Sequence, residues 1–321
     1  MGVTSPSPSP PRLPPSPIYT PPADDGRLVP PGWLDQAPVT VGLIGLNVCA
    51  FLVEVAVSRG LSDISMNDSL ALGASYWLAT LHEGRVETLV TACFLHAGIV
   101  HLLFNMLALW QAGPLVERAV GSARMAPMYL VAGVFGNVLS VAYGWVTHAE
   151  GMTVGASGAI SGVIGAALVV YWRIGGWRNP LTQAMARWLG FVIAFGVFMN
   201  VSGGRIDNAA HIGGALSGAA IAALWRRGAR YSPAATRGIL AGCVAIIAAC
   251  AAVVATHDRR DPFAAMLLHD RVAFTIDSLV ANKCDDARAG LRAIERLQTK
   301  VAGDTSLRSQ VEAQCGSTPA P

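Results

Sequence analysis

Seven stretches of the chain are apolar over about the length that crosses a hydrocarbon core: roughly 39–58, 89–112, 125–147, 153–171, 181–201, 208–225 and 238–256. Lipid offers no partner to a backbone N–H or C=O, so each stretch is expected to be an α-helix. The fold class that follows is an all-α membrane bundle. Composition agrees, with 53% hydrophobic and 13% charged residues and a mean hydropathy of +0.46, outside the soluble-globular range. The net charge of +3 is spread between the apolar stretches rather than gathered in one patch, which gives no support to nucleic-acid binding.

Basic residues in the short loops orient such a bundle. Arg118 and Arg124 follow the second stretch, Arg173, Arg178 and Arg187 flank the connection from the fourth to the fifth, and Arg226, Arg227, Arg230 and Arg237 follow the sixth. The other side has Arg59 and Arg85 in the first long loop and Arg205 before the sixth stretch. This asymmetry predicts a cytoplasmic N-terminus and an extracytoplasmic C-terminus in a multi-pass cell-membrane protein, with a bacterial inner membrane as the expected location.

Four segments result. Residues 1–38 form a tail whose Ser-Pro repeat and further prolines favour extended, solvated backbone, expected to act as a spacer. They lack the charged-then-apolar layout of a signal peptide, so insertion is expected to rely on the spans. Residues 39–226 hold six spans, 227–256 a basic loop and a seventh span, and 257–321 a small extracytoplasmic appendage of two or three short amphipathic helices. One of these carries the stripe Leu291, Ile294 and Leu297 behind an Asp285–Asp286 start. Cys49, Cys93, Cys243 and Cys250 lie in apolar runs, as small buried hydrophobes do. Cys284 and Cys315 sit in polar sequence facing an oxidising side, where a disulfide between them is a reasonable expectation.

Polar side chains inside a span are costly and invite a functional reading. The candidates are His96, His101, Asn105, Asn137, Ser157, Ser161, Asn200, His211 and Ser217. The second, fourth and sixth spans run in the same direction, so His101, Ser157 and His211 converge on one layer. Ser157 is expected about four residues into its span and His211 about three, both roughly 5 Å below their helix starts. Gly158, Gly162 and Ala166 on one helix, and Ala210, Gly214, Gly218 and Ala222 on the other, put a small residue at every fourth position. Such faces permit backbone contact. A serine beside a neutral imidazole is the smallest activated nucleophile. His101 and Asn105 share a helix face, and with the Ser157 backbone N–H they are placed to hold an oxyanion. Gly155 and Gly158 leave room for substrate backbone. Asp207, in the loop before the sixth span, reads as a solvated carboxylate.

These residues resemble the motifs of the rhomboid proteases, in the right order and spans. HLLFN (His101 to Asn105) resembles the family's His-x-x-x-Asn, GASG (Gly155 to Gly158) its Gly-x-Ser-Gly, and AHIGG (Ala210 to Gly214) its Ala-His-x-x-Gly. The likeness covers about residues 39–226, and the seventh span resembles the six-plus-one layout. The resemblance implies an intramembrane serine endopeptidase that cuts transmembrane protein substrates near the outer face of the bilayer. It implies Ser157 as nucleophile, His211 as general base, and His101, Asn105 and the Ser157 N–H as oxyanion donors. His96 in FLHAG and Glu117-Arg118 match further family positions, and Gly155, Gly158, Gly214 and Gly218 support the site. Two positions depart. Glu87-Thr88 stands where members often have Trp-Arg, and Ser161 stands where some carry an aromatic against the base histidine.

Three other readings compete. A zinc site through His96, His101 and His211 is disfavoured, because five residues on a helix leave the first two side chains about 140° apart. No HExxH occurs, and the spans are read as offering no acidic ligand. No cofactor or metal is therefore expected. A transporter would be expected to show repeated halves, which the sequence lacks. A catalytically inactive rhomboid-like binder of transmembrane helices is the alternative that shares the same cleft.

Overall fold

The computed structural model describes residues 37–316 apart from 63, 150, 226–230, 261–262, 264–265 and 296–304. The Pro-rich tail up to residue 36, three arginines of the basic loop (Arg226, Arg227 and Arg230) and Leu297 lie outside the described residues. Thirteen helices follow one another among them: α1 Pro38–Ser58, α2 Met66–Ala71, α3 Trp77–His82, α4 Thr88–Thr91, α5 Ile99–Val120, α6 Ser122–Thr147, α7 Ser157–Gly175, α8 Pro180–Val201, α9 Asn208–Leu224, α10 Pro233–Arg260, α11 Leu268–Val280, α12 Cys284–Glu295 and α13 Thr305–Cys315. The described residues contain no strand, only an isolated antiparallel bridge between Ser75 and Thr153. Helices α1, α5, α6, α7, α8 and α10 are long and apolar enough to cross a membrane, and α9 is a shorter apolar helix. The protein is a multi-pass helical membrane bundle.

Span boundaries shift where hydropathy and hydrogen bonding disagree. The apolar run expected as one span over 89–112 is broken. Its first part is the short α4 and a 3-10 turn, Ala92–Phe94, and the crossing helix begins only at Ile99. Gly98 sits at the break with no space for a Cβ, which would meet the Ser62 carbonyl oxygen at 2.6 Å. Helix α5 then runs past the apolar residues to Val120, carrying Pro114 inside it. Its polar end is not solvated: Glu117 is buried and accepts from the Val39 N–H (2.9 Å), the Thr40 N–H (2.8 Å), the Thr40 hydroxyl (2.8 Å) and the Ser122 hydroxyl (2.6 Å). A carboxylate at the start of α1 satisfies orphan donors and suits the helix dipole. The spans do carry acidic residues, Glu54 and Glu117, contrary to the sequence reading, and both are taken up by backbone donors.

Helices α6, α7 and α9 form the centre, packed at backbone distance. A Cβ on Gly214 would strike the Gly158 carbonyl oxygen, and one on Gly218 the Gly162 carbonyl oxygen. On the α6 side, a Cβ on Gly136 would meet the Ala210 carbonyl oxygen at 2.7 Å. The small-residue stripes read from the sequence are thus the contact faces. At one end of the bundle Arg173 closes α9 by donating to the Ala222 (3.0 Å), Trp225 (3.1 Å) and Ala223 carbonyls (2.7 Å), the groups a helix C-terminus leaves unpaired.

At the other end lie the first loop and the appendage. Leu70, Tyr76, Trp77 and Leu78 of the loop share one apolar cluster with Leu267, Leu291, Ile294 and Val311 of the appendage. Arg271 of α11 bridges to Glu83 at 2.6 Å with both side chains largely buried. Inside the loop, Arg85 is buried and reaches Glu87 at 3.4 Å. The described residues of the appendage form three helices, with Leu291 and Ile294 buried as the stripe requires. A disulfide joins Cys284 to Cys315 and ties α13 to α12.

Candidate active site

Ser157 is the first residue of α7, not the fourth of a longer span, because Gly155 turns the chain into the helix with φ of +123°. Only glycine adopts that conformation without strain. A Cβ there would also fall 2.7 Å from His101 Cε1 and 2.9 Å from Nε2. The missing side chain therefore brings the His101 ring against the backbone just before Ser157. As the opening residue of a helix, Ser157 has a main-chain N–H with no intrahelical partner.

His211 lies in the first turn of α9, buried, with Nε2 2.8 Å from Ser157 Oγ. Its Nδ1 finds no hydrogen-bond partner among the described residues. The two groups make a dyad in which no described side chain hydrogen-bonds the far nitrogen of the ring. Ser157 itself is half-buried.

His101 and Asn105 lie one turn apart on α5, and Asn105 Nδ2 donates to the His101 carbonyl at 3.0 Å. The Ala97 N–H donates to His101 Nδ1 at 3.4 Å. Since a main-chain N–H can only donate, Nδ1 accepts and the ring proton sits on Nε2, the nitrogen facing Gly155. His96 is fully buried outside the α5 helix, its ring 5.2 Å from that of His101 and its Nδ1 3.2 Å from the Phe94 carbonyl.

The other intramembrane candidates stand apart from this layer. Asn137 donates to the Leu89 carbonyl at 2.8 Å, Asn200 staples the loop through both polar atoms of Ile206 (2.7 and 2.8 Å), and Ser217 bonds back to Gly214 at 2.9 Å. Ser161 is buried one turn beyond Ser157 on α7. Among the described residues no three His, Cys, Asp or Glu side chains are grouped to hold a metal ion.

Two residues escaped the sequence reading. Glu54, buried in α1, accepts from the His96 N–H through both oxygens (3.1 and 2.8 Å) and so fixes the turn leading to His101. Its signal was present: a lone acidic residue inside the first apolar stretch. Asp207 is not a solvated loop carboxylate. It caps α9 through the Ala210 N–H at 2.9 Å and accepts hydroxyls from Ser140 and Thr153. Its signal was the aspartate just ahead of a helix, an N-cap position.

Fold and site together define a polytopic helical membrane protein in which a serine at one helix start meets a histidine at another. Residues 83–228 match the Rhomboid domain family. It is 39% identical over 140 residues to the rhomboid protease GluP of Bacillus subtilis (strain 168), covering 42% of this chain and 25% of that protein. It is 36% identical over 148 residues to RHOMBOID-like protein 2 of Arabidopsis thaliana, covering 46% and 44%. It is 35% identical over 138 residues to the putative rhomboid protease YdcA of Bacillus subtilis (strain 168), covering 42% and 65%. The matched segments thus span from a quarter to under two thirds of these relatives.

Proposed function

We propose that the protein is an intramembrane serine endopeptidase that cuts transmembrane segments of other membrane proteins. The observation that carries the reading is the 2.8 Å contact between Ser157 Oγ and His211 Nε2. A substrate helix enters laterally from the bilayer, unwinds near its outer end and offers an extended peptide bond. Small or helix-breaking residues there lower the cost of unwinding.

Ser157 Oγ attacks the carbonyl carbon as His211 Nε2 takes the hydroxyl proton. The tetrahedral oxyanion is held by the Ser157 N–H, His101 Nε2–H and the Asn105 amide. As the C–N bond breaks, His211 returns the proton to the leaving amine. Water then attacks the acyl-serine with His211 again as base, releasing the new carboxyl terminus and restoring the hydroxyl. Nothing in these steps calls for a metal or nucleotide, so a chelator is expected to leave turnover unchanged. The loop arginines support a cytoplasmic N-terminus, and with it a site that opens toward the extracytoplasmic face.

Labelling with a fluorophosphonate, followed by peptide mapping, tests the reading against the inactive-binder alternative. The expected adduct sits on Ser157 and vanishes in His211→Ala. A native protein that takes up no label at Ser157 would favour binding without cleavage.

A further inference from the structure

The segments that deliver Ser157 and His211 meet at one carboxylate. Asp207 lies four residues before His211, and Thr153 four before Ser157. Asp207 Oδ1 accepts the Ala210 N–H at 2.9 Å, within the first turn of α9. Its Oδ2 is 2.5 Å from the Ser140 hydroxyl of α6 and 2.6 Å from the Thr153 hydroxyl, and those two hydroxyls are themselves 2.6 Å apart. Three oxygens thus share the two hydroxyl protons, an arrangement that suits an acceptor-only carboxylate. Thr153 is held in turn on its main chain, paired with Ser75 in both directions at 3.0 and 2.7 Å. The clamp joins α9, α6, the approach to α7 and the first loop.

The His211 ring has no such support of its own, since Nδ1 meets no partner among the described residues. Its placement depends on where α9 begins. Resting on the dyad reading above, we propose that Asp207 is a positioning residue for catalysis. By hydrogen-bonding the start of α9 to the Thr153 segment, its carboxylate sets the Ser157–His211 separation without touching the ring. Reaction rates are steep in such a separation, with about a hundredfold lost for a displacement of about 1 Å.

The test uses the full chain in proteoliposomes. It compares kcat and KM on a transmembrane peptide substrate, the fluorophosphonate labelling rate at Ser157, and Tm. Asp207→Ala is expected to lower kcat and labelling by about tenfold or more with KM within about threefold. Asp207→Asn keeps an acceptor for Ala210 and an amide for the two hydroxyls, and is expected to restore both rates to within about threefold of native. Thr153→Val should lower the rates by less, and the Asp207→Ala/Thr153→Val pair should be no worse than Asp207→Ala alone. A folded Asp207→Ala protein with native kcat and labelling would overturn the proposal. So would a loss confined to KM, or an Asp207→Asn protein as slow as Asp207→Ala. Where Asp207→Ala fails to fold, native rates in both Thr153→Val and Ser140→Ala overturn it. Ser157→Ala run alongside separates the two readings, because turnover equal to native there removes the dyad and not the clamp.

Discussion

Gly214 lies so close to the carbonyl oxygen of Gly158 that a methyl group has no place between them. This contact, repeated one turn on between Gly218 and Gly162, lets α7 and α9 approach until a serine and a histidine side chain span the gap. Small residues at helix crossings in lipid give close packing where the hydrophobic effect offers little between helices.

Gly218→Val should therefore destabilise the bundle by about 1–3 kcal/mol or more through overpacking. Gly45→Val, at an exposed position of α1 with nothing within 4 Å of the added carbon, should be close to neutral. Thermal unfolding of the two variants in the same detergent measures the difference.

If His101 and Asn105 hold the oxyanion as proposed, removing either should act on the chemical step. His101→Ala and Asn105→Ala are each expected to lower kcat by about 10²–10³-fold, with KM much less affected. Steady-state kinetics on a peptide substrate make the distinction, and a pure KM effect would assign these residues to substrate binding instead.

Glu54 gives the His96 N–H its acceptors inside the membrane. Glu54→Ala leaves a buried donor unpaired, which should cost about 1–3 kcal/mol. Glu54→Gln retains a carbonyl oxygen and should recover part of that loss, read as the order of Tm among native, Gln and Ala proteins.

The Cys284–Cys315 disulfide closes a loop with a sequence separation of 31, for which chain entropy gives about 3.7 kcal/mol. Mass measurement with and without reduction should find the pair oxidised in protein prepared under air. Cys315→Ser should make α13 the first site of limited proteolysis while the spans stay intact.

How much was legible in the sequence follows from the physics of each element. The spans show because lipid demands long apolar helices, and the Ser157, His211, His101 and Asn105 layer shows because its residues are polar where polarity is expensive. The break at Gly98 did not show, since residues 89–95 are as apolar as a span. Nor did the true end of α5, because Glu117 is polar in sequence yet buried against the start of α1. Asp207 was misread for a related reason. A loop carboxylate looks solvated until Ser140 and Thr153, distant in sequence, fold against it.

Cleavage of a transmembrane substrate in proteoliposomes by the native protein, Ser157→Ala and His211→Ala tests the central claim most directly. The account predicts a single cut near the outer end of the substrate helix by the native protein and none by either variant. Native-like cleavage by either variant would contradict it.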